Sequence, residues 1–244
     1  LSIGIILANW LILEALGCFF IGRNAEKFKY TLETYAVITV LFSLSLPPSI
    51  FLTRVLKTVI GVSIGENIGL IPMFCSSFLI LLPVSILHGA LFPLCCRIYS
   101  VFTGCHDASS TGKVYAYETV GTMIGGIVCT YLFIPYLDSF QVSITLTFLN
   151  SIVCLVLLAT SWKTGLFQQT ILVLLSILII FSGYTVFTGQ AEKLHQLSIK
   201  AQWKNLNIIH YQNSRYGNIC ILKNQGQYIF FNDGIPNLLI PVPD

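Results

Sequence analysis

Charge is what this sequence has least of. Of 244 residues, 13 are Lys or Arg and 10 are Asp or Glu, 9% in all, against 55% hydrophobic residues. With a mean hydropathy of +0.80, that balance excludes an ordinary soluble domain and points to a membrane protein. The basic residues are scattered and the net charge is only +3, so the electrostatic footprint of a nucleic-acid binder is missing as well. The eight cysteines contain no C-x-x-C pair; most sit in apolar stretches, read as small core residues and assign no redox compartment. A G-x-G-x-x-G nucleotide loop is also lacking. Gly61, Gly65 and Gly69 are spaced by four, which suits helix packing and not a phosphate cradle. The chain opens at Leu1 inside an apolar run, without an initiator Met or a basic leader and cleavage site, and stops at PVPD after a strand-like segment. Both ends lead us to expect a piece of a longer protein.

What is present is long hydrophobic runs. Six of them match the roughly 20 residues that a helix needs to cross a bilayer: 1–22, 31–53, 69–96, 114–137, 139–161 and 168–188. Hydrocarbon leaves unpaired backbone groups without water, so continuous runs of this length favour helices. A kink is expected at Pro47 and Pro48, which remove two amide donors. The fourth and fifth runs are joined only around Asp138 and should be antiparallel partners. Orientation is not decided by charge: Arg23, Lys27, Lys29, Arg97, Lys113 and Lys163 lie on one side, Arg54, Lys57, Lys193, Lys200 and Lys204 on the other.

Beyond Thr188 the character changes. Residues 189–206 are polar and mixed and read as a linker. After them come short segments rich in Ile, Tyr and Phe at 207–212, 216–223 and 227–232, separated by turn residues, with Asn224-Gln225-Gly226 and Asp233-Gly234 as turn signals. The expected fold is therefore mainly α, a multi-pass transmembrane helical bundle over 1–188, followed by a short antiparallel β-hairpin sheet over 207–244. A sheet of this size is marginal alone and needs something to pack against.

Three polar residues stand out inside the apolar runs: Glu14, His88 and Glu118. A carboxylate in hydrocarbon costs roughly 2.5–3.5 kcal/mol on insertion scales and turns inward. If the stretch 112–126 (GKVYAYETVGTMIGG) is helical from about Lys113, Glu118, Gly121, Thr122 and Gly125 share a face. Glu118 is expected to make an internal polar contact, with a proton or amine path as the alternative. Gly121 and Gly125 are expected to support close helix packing. His88 is either a proton carrier, a partner for one of the acids, or a hydrogen-bonded core histidine. Asn9 and Asn150 should bridge helices. Cys105, His106 and Asp107 have ligand chemistry, but three adjacent residues do not close readily on one ion, so no metal is expected.

Four stretches together resemble membrane-bound spermidine synthase-like proteins, the polyamine aminopropyltransferase family: ANWLILEALG at 8–17, HGALFPLCCR at 88–97, GKVYAYETVGTMIGG at 112–126, and HYQNSRYGNICI at 210–221 with FFNDGIP at 230–236. The resemblance implies a membrane region ahead of a transferase domain that moves an aminopropyl group from decarboxylated S-adenosylmethionine to a diamine. It implies that no catalytic residue lies in this chain, because the nucleotide loop and the catalytic acids come after the leading sheet. Gln212, in the Tyr211-Gln212 pair, matches a family Gln that contacts the nucleotide substrate; a carboxamide both donates and accepts. Read without the family, Gln212 is a strand residue facing water. Asn237 stands where family members often carry Gln. The implied partners are the bilayer, an amine and a nucleotide substrate, with a homo-oligomer left open and the soluble part on the cytoplasmic side. The alternative from another class is a transporter or scaffold for small amines, acting through Glu14, His88 and Glu118.

Overall fold

A computed structural model of the chain describes residues 2–104, 108–160, 165–204, 206–214, 216–224 and 226–241. Helix α1 (Ser2–Asn24) ends in a 3-10 turn (Ala25–Lys27). It is followed by α2 (Thr31–Ile60), α3 (Leu70–Thr103) and α4 (Ala108–Val128), the last passing through a π-helical turn (Cys129–Phe133) into the short α5 (Ile134–Tyr136). Then come α6 (Ser139–Thr160) and α7 (Leu166–Phe187). Counting the α4–α5 stretch as one, six helices are long and apolar enough to cross a membrane, as the hydropathy predicts.

The helices are longer than the apolar runs. α2 continues helically through Pro47 and Pro48 to Ile60, and α3 through Pro83 and Pro93 to Thr103. Bundle helices tolerate interior proline because neighbours and small polar side chains take up the freed backbone groups. In α4 the helix begins at Ala108 rather than near Lys113. Gly61, Gly65 and Gly69 lie in the connection between α2 and α3 and not on a helix face, so their spacing does not serve helix packing.

Two packing centres organise the bundle. Ala36 and Val40 of α2, Cys154 and Leu158 of α6, and Ile171 and Leu175 of α7 form one apolar core. Polar bridges reinforce it: Asn150 Nδ2 donates to Ser43 Oγ at 3.1 Å, and Gln168 Nε2 on α7 donates to the Leu158 carbonyl of α6 at 2.9 Å. The second centre is the crossing of α1 and α3, where both helices present a buried glycine, Gly17 and Gly89. A Cβ on Gly17 would overlap the Ile86 carbonyl, and one on Gly89 would overlap the Glu14 carbonyl. Asn9 ties the same pair, its Nδ2 donating to Phe74 O at 2.9 Å and Ser77 Oγ at 2.8 Å.

α4 stands apart from both centres. Despite the tight turn at Leu137 and Asp138, α6 packs on α2 and α7, and α4 rests on α3. Only Ser110 of α4 is buried, and the glycines at 121 and 125 face open space. Among the described residues, therefore, α4 and α6 do not form the expected antiparallel packing and the glycines do not make the expected close contact.

Residues 189–206, read as a linker, contain helix α8 (Gln190–Gln202). Its buried stripe of Ala191, His195, Ser198 and Ile199 has helical spacing. β1 (Ile208–Ser214), β2 (Gly217–Asn224), β3 (Gln227–Asn232) and β4 (Ile235–Ile240) form one antiparallel sheet in sequence order. The register gives its faces distinct roles. Tyr211, Cys220 and Phe231 are cross-strand neighbours, as are Ile208, Leu222 and Ile229. That side closes over Ile199 and Trp203 at the end of α8, with Ile64 from the α2–α3 connection at its edge. The opposite face carries Gln212 with Ile219, and His210 with Ile221, Phe230 and Leu238.

The glycine contacts make a paired prediction. Gly89→Ala forces α1 and α3 apart, an overpacking cost of about 1–3 kcal/mol, whereas Gly121→Ala meets empty space. Thermal unfolding in detergent should show a lower Tm for the first and an unchanged or raised Tm for the second. Equal shifts would contradict the α1–α3 crossing.

Candidate functional site

The membrane interior contains one polar pair of the kind the sequence points to. At the α1–α3 crossing, His88 Nδ1 lies 2.7 Å from Glu14 Oε1. The closeness follows from the glycines, since Gly89 adjoins His88 and lets α3 sit directly on the Glu14 backbone. Trp10 and Phe42 flank the imidazole at ring distances of 6.5 and 5.5 Å. The two side chains stay partly accessible, at 37% for His88 and 26% for Glu14. A carboxylate within hydrogen-bonding distance of an imidazole is how a membrane helix pair satisfies both groups, and it is also the arrangement that proton relays use.

Glu118 does not join this pair. Its side chain is exposed on the outer surface of α4, and its carbonyl accepts from Thr122 Oγ1 at 2.8 Å. The expected internal polar contact is thus not formed among the described residues, because α4 packs only loosely on α3 and leaves nearly all its side chains exposed. The Cys105-His106-Asp107 run lies outside the described residues. Among those described, no cluster of three or more His, Cys, Asp or Glu side chains is arranged to hold a metal.

Gln212 projects from β1 on the open face of the sheet. Its Oε1 is 3.3 Å from His210 Nε2, and its carbonyl accepts from Asn218 Nδ2 at 3.3 Å. Strand alternation sends the preceding Tyr211 the other way, into a polar joint that the sequence does not reveal. That joint is built on Arg54 near the end of α2. Its Nη1 donates to Ser198 Oγ and to the His195 carbonyl at 3.4 Å, and lies 3.1 Å from His195 Nδ1. Nη2 donates to Ser139 Oγ at 3.4 Å, and the guanidinium sits over the Phe140 ring at 5.6 Å. The Tyr211 ring meets His195 edge-on at 5.8 Å.

Asp138 completes the joint by capping α6. Its Oδ1 accepts from the Phe140 and Gln141 amides at 2.8 and 2.9 Å, while Gln141 Oε1 accepts from the Asp138 amide at 2.8 Å, a reciprocal capping box. Asp138 Oδ1 is 3.8 Å from His195 Nδ1, but that nitrogen already faces a guanidinium donor and accepts from it. Burial and the Arg54 charge both push the His195 imidazole below its ordinary value of 6.5, and together they outweigh the opposing pull of Asp138 and Glu192. Burial pushes the Tyr211 phenol up, partly offset by Arg54. Both effects favour the neutral imidazole at His195.

No protein-family model, curated protein or solved structure matches this chain significantly. Of the residues singled out in the sequence, Glu14 and His88 come together, Gln212 stands on the sheet surface and Glu118 is exposed on α4. Sequence reasoning did not single out Arg54, His195 or Tyr211 as a joint. The available signals were a lone cation at the edge of an apolar run and the Asp138-x-x-Gln141 cap.

The His195 environment has a pH consequence. Unfolding raises its affinity for protons, so α8 docking is at full strength above the ordinary value of 6.5 and weakens as the pH falls below it. An NMR titration of the imidazole resonances should place the His195 midpoint below that of exposed histidine, and Arg54→Gln should raise it. A midpoint at or above 6.5 in the parent protein would contradict the joint.

Proposed function

We propose that this chain is the membrane region and leading sheet of a spermidine synthase-like transferase. In the reaction, a diamine nitrogen attacks the aminopropyl carbon next to the sulfonium of decarboxylated S-adenosylmethionine. The C–S bond breaks, its electron pair stays on sulfur to give the thioether, and the nitrogen loses a proton. Those steps belong to residues beyond the sheet; in this chain the reading assigns a substrate contact to Gln212 and anchoring to the helices.

The observation that carries the reading is the open face of the sheet. There Gln212 is paired with Ile219, and Ile221, Phe230 and Leu238 continue the same face across the next strands, an apolar floor with, at its edge, a group that can donate and accept, the combination that small-molecule sites use to hold and orient a ligand. The sheet is also fixed against the bundle through α8, so such a site would be held close to the bilayer. We place the sheet side in the cytoplasm, where the two substrates of such a transferase would be met.

A second reading, a transporter for small amines, is favoured by one feature, the Glu14–His88 pair inside the bundle. It would act as the polar station for a cationic amine or a proton.

The deciding experiment uses the full-length parent protein. It should transfer an aminopropyl group to a diamine and bind decarboxylated S-adenosylmethionine, with Gln212→Ala weakening that binding about tenfold, the scale of one or two lost polar contacts. Unchanged nucleotide affinity in Gln212→Ala would remove the role given to that residue, and no transfer at all would remove the transferase reading. Diamine uptake into vesicles that is abolished by Glu14→Gln would establish the second reading in its place.

A further inference from the structure

A cavity of about 640 Å³ lies where the bundle meets the sheet, separate from the Glu14–His88 pair and from the open sheet face. Its two ends differ in chemistry. Toward the helices it is lined by Ile6, Met73, Ile80 and Leu81, and toward the sheet by Arg54, Lys57, Lys204, Trp203, Asn218 and Asp233. Three cations thus face one carboxylate. That carboxylate is already engaged, Asp233 Oδ1 accepting from the Asn218 amide at 2.8 Å. Lys57 Nζ donates one proton to the Glu66 carbonyl at 2.9 Å, which leaves two for another acceptor.

The mixed lining points to an amphiphile. Lys57 Nζ keeps two N–H donors for a phosphate oxygen, and an acyl chain suits the wall of Ile6, Met73, Ile80 and Leu81.

We propose that this cavity binds an anionic phospholipid. Its phosphate accepts from Lys57, and its chain lies along Met73, Ile80 and Leu81 of α3 beside Ile6 of α1. The inference does not depend on the transferase reading. It uses the position of the cavity at the end of membrane-spanning helices, where a headgroup and the start of a chain are both at hand.

The test is lipid binding to the full chain in neutral detergent, read by native mass spectrometry and by Tm. The probes are phosphatidylglycerol, phosphatidylcholine and soluble glycerol 3-phosphate. Phosphatidylglycerol should be retained and raise Tm, phosphatidylcholine should bind at least about tenfold more weakly, and glycerol 3-phosphate should not compete. Lys57→Gln should weaken phosphatidylglycerol binding about tenfold, the effect of one charge-assisted hydrogen bond. Equal retention of the two lipids, undiminished binding in Lys57→Gln, or binding of glycerol 3-phosphate as tight as that of the lipid would overturn the proposal. Lys57→Gln should fold, since the Lys57 side chain is half-buried and makes one hydrogen bond to the α2–α3 connection.

Discussion

The arrangement of the molecule depends on how one cation is satisfied. Arg54 sits within a helix long and apolar enough to span a membrane, and a guanidinium there cannot be left without acceptors. The chain supplies them from two distant places, the Ser139 hydroxyl at the start of α6 and the His195–Ser198 turn of α8. Satisfying Arg54 therefore pins α8 to the end of the bundle, and α8 in turn carries the inner face of the sheet on Ile199 and Trp203. A sheet of four short strands would be marginal by itself. Hydrogen bonds to a charged group contribute about 1.5–3 kcal/mol each, whereas an exposed ion pair contributes about 0–1 kcal/mol. That difference is why a half-buried guanidinium can set the position of the sheet and a surface pair could not.

Inside the bundle the governing constraint is proximity. Lipid offers no hydrophobic drive for helices to associate, so contact relies on close packing and on polar bridges. Gly17 and Gly89 bring α1 and α3 to backbone contact, and that closeness delivers Glu14 to His88 and Asn9 to Ser77. α4 follows no such rule. Its glycines face open space, and Glu118 remains on its surface.

The elements were legible in the sequence because hydropathy and strand spacing are local properties. Six spans, the Asp233-Gly234 turn and the bridging roles of Asn9 and Asn150 follow from them. Partners far apart in the chain were not legible. Glu14 and His88 each stand out as polar residues in apolar runs, but 74 positions separate them, and only the α1–α3 crossing pairs them. Arg54 and His195 are 141 positions apart. The polar composition of 189–206 concealed a helix, since α8 buries small and polar residues alongside Ile199. The small-xxx-small spacing of Gly121 and Gly125 suggested packing that no described residue provides, because such spacing permits close approach without supplying a neighbour.

The central claim is that Arg54 holds α8, and through it the sheet, on the membrane bundle. Amide hydrogen exchange on the full chain in lipid nanodiscs tests it directly, comparing the parent with Arg54→Gln. The account predicts strong protection of residues 191–202 and of β1 in the parent. In the variant that protection should fall in these two elements while α6 and α7 keep theirs. Identical exchange of α8 and β1 in both proteins would contradict it.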